Sequence, residues 1–440
     1  MPEFVIGLSQ VPLPRMTLVR QDFPAPVVAD VAAAVARELD RPEIAASVRP
    51  SSRVAVAVGS RGIHGIDRIT AALVRGLKAR GAQVVIIPAM GSHGGATAAG
   101  QTEVLARYGV SAAAMGAEVV SAMETECVGR LRRNASGAYE PSSDERDIPV
   151  HLDRVAARDV DLVVPVVRVK PHTGFRGTVE SGICKMLAIG LGKHEGCSRL
   201  HREGYGNFAE LIPAAARLVL ATGKIAFSLA VVENALERTA QLEAVAAQAT
   251  LSREPQLLAI ARALMPRILL PEIDVLVVER IGKDISGVGM DANVTGRSEL
   301  GGFPDFSGPR IARIVVLGLT PATKGNATGI GHADVITEEA FRGIDRAATA
   351  TNVVTSGSLR GGRIPVAIAG EDDAIRAAMS CVPGIAAADA RVVRIRDTLH
   401  LCDIAVSANL LPVVASTAGC RAMGAFAGSW PPAVDDGGAS

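Results

Sequence analysis

The segment from Val160 to Val169 constrains this chain most. It reads Val-Asp-Leu-Val-Val-Pro-Val-Val-Arg-Val, apolar on successive residues rather than on alternate ones. A strand of that kind is covered on both faces, which in a sheet means parallel neighbours with helices layered on each side. Similar runs occur at Arg53 to Val58 and Gln83 to Pro88, each followed by a helical pattern, Asp67 to Arg80 and Thr97 to Tyr108. Further along, Phe208 to Ala221 reads as helix, Lys224 to Val232 as strand and Leu236 to Leu264 as helix. Such alternation predicts an α/β fold with mostly parallel sheets.

Two prolines, Pro266 and Pro271, mark a boundary just before another strand, Asp274 to Val278. Strands near Ala312 to Leu317 and Ile364 to Ile368 follow, with helices over Thr337 to Ala350 and Asp372 to Met379. The expected organisation is therefore two α/β domains, residues 1–270 and 271–403. Residues 404–428 are expected as a helical tail packing back on the first. Ligands of such sheets bind beyond the carboxyl ends of the strands, so the active site is expected in the inter-domain cleft.

Composition narrows the partners. Of 440 residues, 46 are basic and 45 acidic, and aromatics make only 3%. That balance argues against nucleic acid and against an anionic membrane surface, and the scarcity of rings against a stacking platform. The most apolar stretch, Leu211 to Val232, is broken by Arg217 and Lys224. Six cysteines scattered through a long chain read as reduced thiols, and the expected location is cytoplasmic.

Chemistry concentrates in one stretch. Lys170, Lys185 and Lys193 are three of only seven lysines, and His172, His194 and His201 lie in or just after the same stretch. Polar or glycine-rich loops follow the predicted strands at Gly59-Ser60-Arg61, Gly91 to Gly95, Lys170-Pro171-His172 and Gly282-Lys283-Asp284. No Gly-x-Gly-x-x-Gly follows the first strand and no P-loop occurs, which disfavours an ordinary dinucleotide or nucleoside triphosphate enzyme. The loop Gly91 to Thr97 still suits a phosphate bound by backbone N–H groups. His93 and His172 each follow a strand and read either as structural loop histidines or as a general acid and base. Lys185, on the helix-like segment Val179 to Ile189, is either a solvated lysine or a desolvated amine for covalent chemistry. His194, Cys197 and His201 have the spacing of one helical face and raise the alternative of a zinc-dependent hydrolase or lyase. Arg61 has the planar fork that binds carboxylate or phosphate.

His93, His172, Lys185 and His201, in this order on two α/β halves, resemble the nickel-dependent lactate racemase family over roughly residues 20–425. The resemblance implies two α/β domains and a nickel pincer nucleotide, pyridinium-3-thioamide-5-thiocarboxylic acid mononucleotide. It implies that Lys185 tethers this cofactor and that His201 is the protein ligand to nickel. His93 and His172 become the paired acid/base histidines. Ser60 and Arg61 match a Thr-Arg pair that contacts cofactor or substrate, and Lys283 becomes a contact for the substrate carboxylate. Val58, Gly94 and Gly95 depart from the lactate enzymes and point to another 2-hydroxy acid. The implied activity is a racemase or epimerase of a 2-hydroxy carboxylic acid acting by reversible hydride transfer. Its partners are that small-molecule substrate and the cofactor-synthesis enzymes. A third reading is a non-catalytic protein that holds the cofactor or a carboxylate on the same scaffold.

Overall fold

The computed structural model describes residues 8–59, 62–298 and 308–431. It divides into two compact units, Pro24–Met265 and Met1–Phe23 with Pro266–Ser440. Residues 8–23 thus belong with the C-terminal part of the chain rather than with the N-terminal domain expected from the sequence.

The unit Pro24–Met265 is built on a six-stranded sheet. Across it the strands run Glu118–Val119, Gln83–Pro88, Arg53–Val58, Leu162–Arg168, Phe227–Glu233 and Thr239–Ala246. The first five are parallel neighbours and the last is antiparallel to its neighbour. From the Arg53 strand the chain moves outward by two strands and then returns to its other side. The Arg53 and Leu162 strands flank that reversal, the topological switch point where open α/β sheets bind ligands. Burial explains the uniform hydrophobicity of the central strands. Val54, Val56 and Val58 pack into one layer with Ile69, Leu73 and Leu77 of helix Ile66–Ala79. Ala55 and Ala57 face the opposite layer, which contains Ile183, Leu187, Phe208 and Leu211.

Pro165 lies inside this sheet, opposite Ala57. Having no N–H to give, it coincides with a gap in the ladder toward the Phe227 strand. There a lone bridge joins Val163 to Ile225, and regular pairing resumes at Val166 with Leu229. Between the Glu118 and Leu162 strands a three-stranded antiparallel sheet is inserted, formed by Thr125–Arg133, Tyr139–Ser142 and Ile148–Asp153.

The other unit carries an eight-stranded sheet. Its parallel part runs Val366–Ile368, Val335–Thr337, Arg310–Leu319, Glu272–Ile281 and Val392–Ile395, and Asp403–Ser407, Met16–Gln21 and Cys420–Ala425 add antiparallel strands. The expected helical tail of residues 404–428 is therefore two strands joined by helix Leu411–Ser416, and it encloses Met16–Gln21. Arg20 pairs with Asp403 at 2.7 Å, and Gln21 donates to the carbonyls of Arg267 and Leu401. Leu236 to Leu264, expected as one helix, is an edge strand, Thr239–Ala246, followed by helix Thr250–Leu264. Alanine-rich composition favours helix locally, but pairing with the Phe227 strand overrides it. The Asn234 side chain fixes the hairpin by accepting from the N–H groups of Leu236 and Arg238. Among the described residues no helix is long and apolar enough to cross a membrane.

Candidate functional site

Gly59, after the Arg53 strand, lies against Met186, and Gly91, after the Gln83 strand, lies against Cys197, both on the segment Ile183–His201. Lys185 ends the short helix Ile183–Lys185 and leads into a π-helical turn, Met186–Gly190, closed by Leu191 N–H on the carbonyl of Met186 at 2.9 Å. Single π-turns are frequent at functional sites because they re-aim the side chains around them. The helix Lys193–His201 follows. Gly91 lies against it in the left-handed region, φ 58°, and a Cβ there would stand 3.2 Å from Cys197 Sγ. That contact sets how closely the Gly91-Ser92-His93 loop approaches the helix.

His201 is oriented by its own helix. Its Nδ1–H donates to the carbonyl of Cys197 at 2.7 Å, which leaves the Nε2 lone pair as the presented group. Burial pushes its pKa below the usual histidine value, the hydrogen bond to Cys197 opposes that, and the nearby Lys185 ammonium adds to the lowering. The ring is therefore neutral at pH 7, the form that binds metals. Burial raises the Cys197 thiol, partly offset by Ser92 and Lys185, so Cys197 stays protonated.

His172 shows the opposite tautomer. Its Nδ1 accepts the N–H of Gly174 at 2.9 Å, so the neutral ring carries its proton on Nε2. Its backbone N–H donates to Glu180 Oε2 at 2.6 Å, and the fully buried Glu180 also pairs with Arg176 and Arg262. An aromatic group joins the two histidines. His172 lies 5.8 Å and His201 5.7 Å from the Tyr205 ring, while Phe175 and Phe208 fill the space behind. His172, Lys185, Cys197 and His201 are thus gathered in one place. Ser92, whose hydroxyl accepts from Cys197 Sγ at 3.8 Å, brings the loop that carries the exposed His93 to the helix Lys193–His201.

Other sequence candidates fall elsewhere. His194 is exposed and meets the Ser198 hydroxyl at 3.5 Å, whereas Cys197 is buried and His201 half-buried. Among the described residues no three His, Cys, Asp or Glu side chains are placed to hold a metal, so the zinc set of His194, Cys197 and His201 is not assembled. Lys283 belongs to the other unit, where its Nζ donates to Gly287 O at 2.7 Å and Asn352 Oδ1 at 2.9 Å. Ser60 and Arg61 lie outside the described residues. The Gly91 to Thr97 loop folds back on the helix it precedes: a Cβ at Gly94 would reach within 2.6 Å of the backbone nitrogen of Gln101.

Three buried groups escaped the sequence reading. Lys193 is fully buried, 2.8 Å from Asp153 Oδ2, and its Nζ donates to Pro88 O and to Gln101 Oε1. Its place in the lysine cluster was the one available signal. Glu180 and Glu254 gave none, because isolated glutamates in helical or loop patterns read as solvated. Glu254 Oε2 accepts the N–H of Cys184 at 2.8 Å, capping the helix that presents Lys185, and burial pushes its carboxyl up to about 7. Burial and the adjoining Glu254 push the Cys184 thiol far up as well.

No protein-family model matches this sequence, and no curated protein matches it. Among solved structures, the lactate racemase apoprotein from Thermoanaerobacterium thermosaccharolyticum is similar with a TM-score of 0.51, over 87% of this chain and 94% of that one, at 12% identity. A structural-genomics target protein from Thermotoga maritima aligns over 65% of this chain and 69% of that one, with 14% identity and a TM-score of 0.48. The chain thus has a lactate-racemase-like α/β fold.

Proposed function

We propose that this chain is an isomerase, a racemase or epimerase of a 2-hydroxy carboxylic acid that works with a nickel pincer nucleotide. The observation that carries this reading is the setting of His201. A neutral imidazole, held by Nδ1 so that Nε2 is presented, stands beside Lys185 on a lactate-racemase-like fold. One oriented imidazole and one lysine are the protein groups needed by a cofactor that brings its remaining metal donors itself.

In that role Lys185 would hold the nucleotide and His201 would hold its nickel through Nε2. The bound group would supply an electrophilic carbon able to take hydride, which avoids forming a carbanion at C2. The protein's own residues handle the hydroxyl proton. One histidine of the pair would accept the hydroxyl proton as a neutral imidazole, and the other would return a proton to the keto oxygen as an imidazolium, with His172 exchanging it at Nε2 because its Nδ1 meets the Gly174 N–H. Two histidines, one for each face of the planar 2-keto acid, are what inversion at one carbon requires. Lys283 is proposed for the substrate carboxylate, and Ser60 and Arg61 for cofactor or substrate contacts. The six cysteines, none of them paired, suit a reducing cytoplasmic setting.

The reading is tested with an enantiopure 2-hydroxy acid deuterated at C2, incubated with the nickel- and cofactor-loaded protein in ordinary water. Inversion with deuterium retained in the product is expected. Washout of deuterium into solvent would mean direct proton abstraction and would refute the hydride route.

A further inference from the structure

We propose that the buried Lys193–Asp153 pair, acting through Gln101, is a positioning device that fixes the His93 loop against the segment carrying Lys185 and His201. The inference rests on the reading of His93 as an acid/base residue.

Lys193 begins the helix Lys193–His201 with a left-handed backbone, φ 52°, and is completely removed from solvent. A side-chain-bearing residue holds that conformation only where its surroundings over-determine it. Its ammonium meets three buried acceptors: Asp153 Oδ2 at 2.8 Å, Pro88 O at 2.6 Å and Gln101 Oε1 at 3.2 Å. Asp153 is itself fixed, because its Oδ1 accepts from the N–H groups of Val155 and Ala156 and its own N–H donates to Leu191 O.

Gln101 transmits the constraint. An ammonium has only donors, so the amide oxygen of Gln101 must face Lys193 and its NH2 must face the other way. That NH2 donates to Gly91 O at 2.9 Å and to His93 O at 3.3 Å. Pro88 ends the strand from which the same loop departs. One buried network therefore grips the His93 loop at Pro88, Gly91 and His93, and it is anchored between Lys185 and His201 in sequence. A buried ion pair is weak evidence for stability, since apolar residues of similar shape often serve as well. Here it orients an amide that an apolar pair would leave free to turn.

The discriminating variant is Gln101→Glu. A carboxylate still accepts from Lys193 but has nothing to donate to Gly91 and His93. Amide hydrogen exchange is followed in residues 89–97 and in the strands Arg53–Val58 and Leu162–Arg168. Exchange in 89–97 is expected to rise by about tenfold or more, the change in opening equilibrium that follows loss of a pair of hydrogen bonds, while the strands keep their protection. In the loaded enzyme kcat is expected to fall by about tenfold or more with KM within about twofold, the signature of a displaced proton-transfer group. Unchanged exchange in 89–97 overturns the proposal, and so does faster exchange throughout the unit, which would make the network merely structural. Looser 89–97 with unchanged kcat also overturns it. If the wild-type loaded protein turns over no 2-hydroxy acid, the racemase reading fails on its own, and the exchange result alone decides whether the network holds the loop.

Discussion

Glu254 makes the stability of the unit Pro24–Met265 depend on pH in a direction unusual for a carboxylate. Its side chain is fully buried, Oε2 takes the Cys184 N–H, and among the described residues no hydrogen-bond partner meets Oε1. Burial raises its pKa from 4.5 to about 7. Between those values the folded protein keeps a proton that the unfolded chain has released. The stabilisation is therefore fully present below pH 4.5 and is lost as pH rises through about 7. A difference of 2.5 units at about 1.4 kcal/mol each amounts to about 3 kcal/mol. Glu254→Gln imitates the protonated form and removes the titration. His201 and His151, whose pKa values burial lowers, act oppositely: they cost stability as pH falls below 6.5. Both are present in wild type and variant and cancel in the difference. Urea unfolding at pH 5 and pH 8 should show the variant's advantage growing by about 2–3 kcal/mol between the two. An advantage that does not change with pH would refute the buried, proton-holding Glu254.

Breaking the Lys193–Asp153 pair from one side should be costly. Lys193→Met leaves a carboxylate buried without its ammonium, so unfolding should show a loss of about 3–5 kcal/mol, and adding Asp153→Leu should recover only part of it, because the N–H groups of Val155 and Ala156 then lose their acceptor. A double variant as unstable as the single one would contradict the charge pairing of Lys193 with Asp153. In the loaded enzyme, His93→Ala or His172→Ala should lower turnover by about 10²–10⁴-fold, and His93→Ala, being exposed, should leave the urea midpoint in place. Normal turnover in both would end the acid/base assignment. Nickel measured by elemental analysis after loading should be lost in His201→Ala and kept in His194→Ala, and the reverse pattern would exchange their roles.

The parallel strands of the site-bearing unit were legible because burial on both faces writes itself as consecutive Val, Ala and Ile. Arg53 to Val58 and Gln83 to Pro88 match their strands residue for residue. Helix Phe208–Ala221 was equally plain from its periodicity. What the sequence concealed depends on long-range pairing. Met16–Gln21 becomes a strand only because Asp403–Ser407 and Cys420–Ala425 flank it nearly 400 residues later. Leu236 to Ala246 has helix-forming composition and takes the edge of a sheet instead. The same holds for the site. Spacing singled out His172, Lys185 and His201, which the fold gathers around Tyr205 and Cys197. It gave no hint that Lys193 is buried, because lysine patterns look alike whether the ammonium meets water or Asp153. The zinc spacing did not become a site: His194 is exposed and meets Ser198, while Cys197 is buried and His201 half-buried.

The central claim is that Lys185 and His201 hold a nickel-bearing nucleotide, and the intact mass of the protein tests it most directly. The chain is produced together with the cofactor-synthesis enzymes and nickel, with Lys185→Ala prepared in parallel. A mass increase equal to the pincer nucleotide in the wild type and absent from Lys185→Ala is the expected result. No increase in the wild type, with synthesis of the cofactor verified in the same cells, would contradict the tether at Lys185.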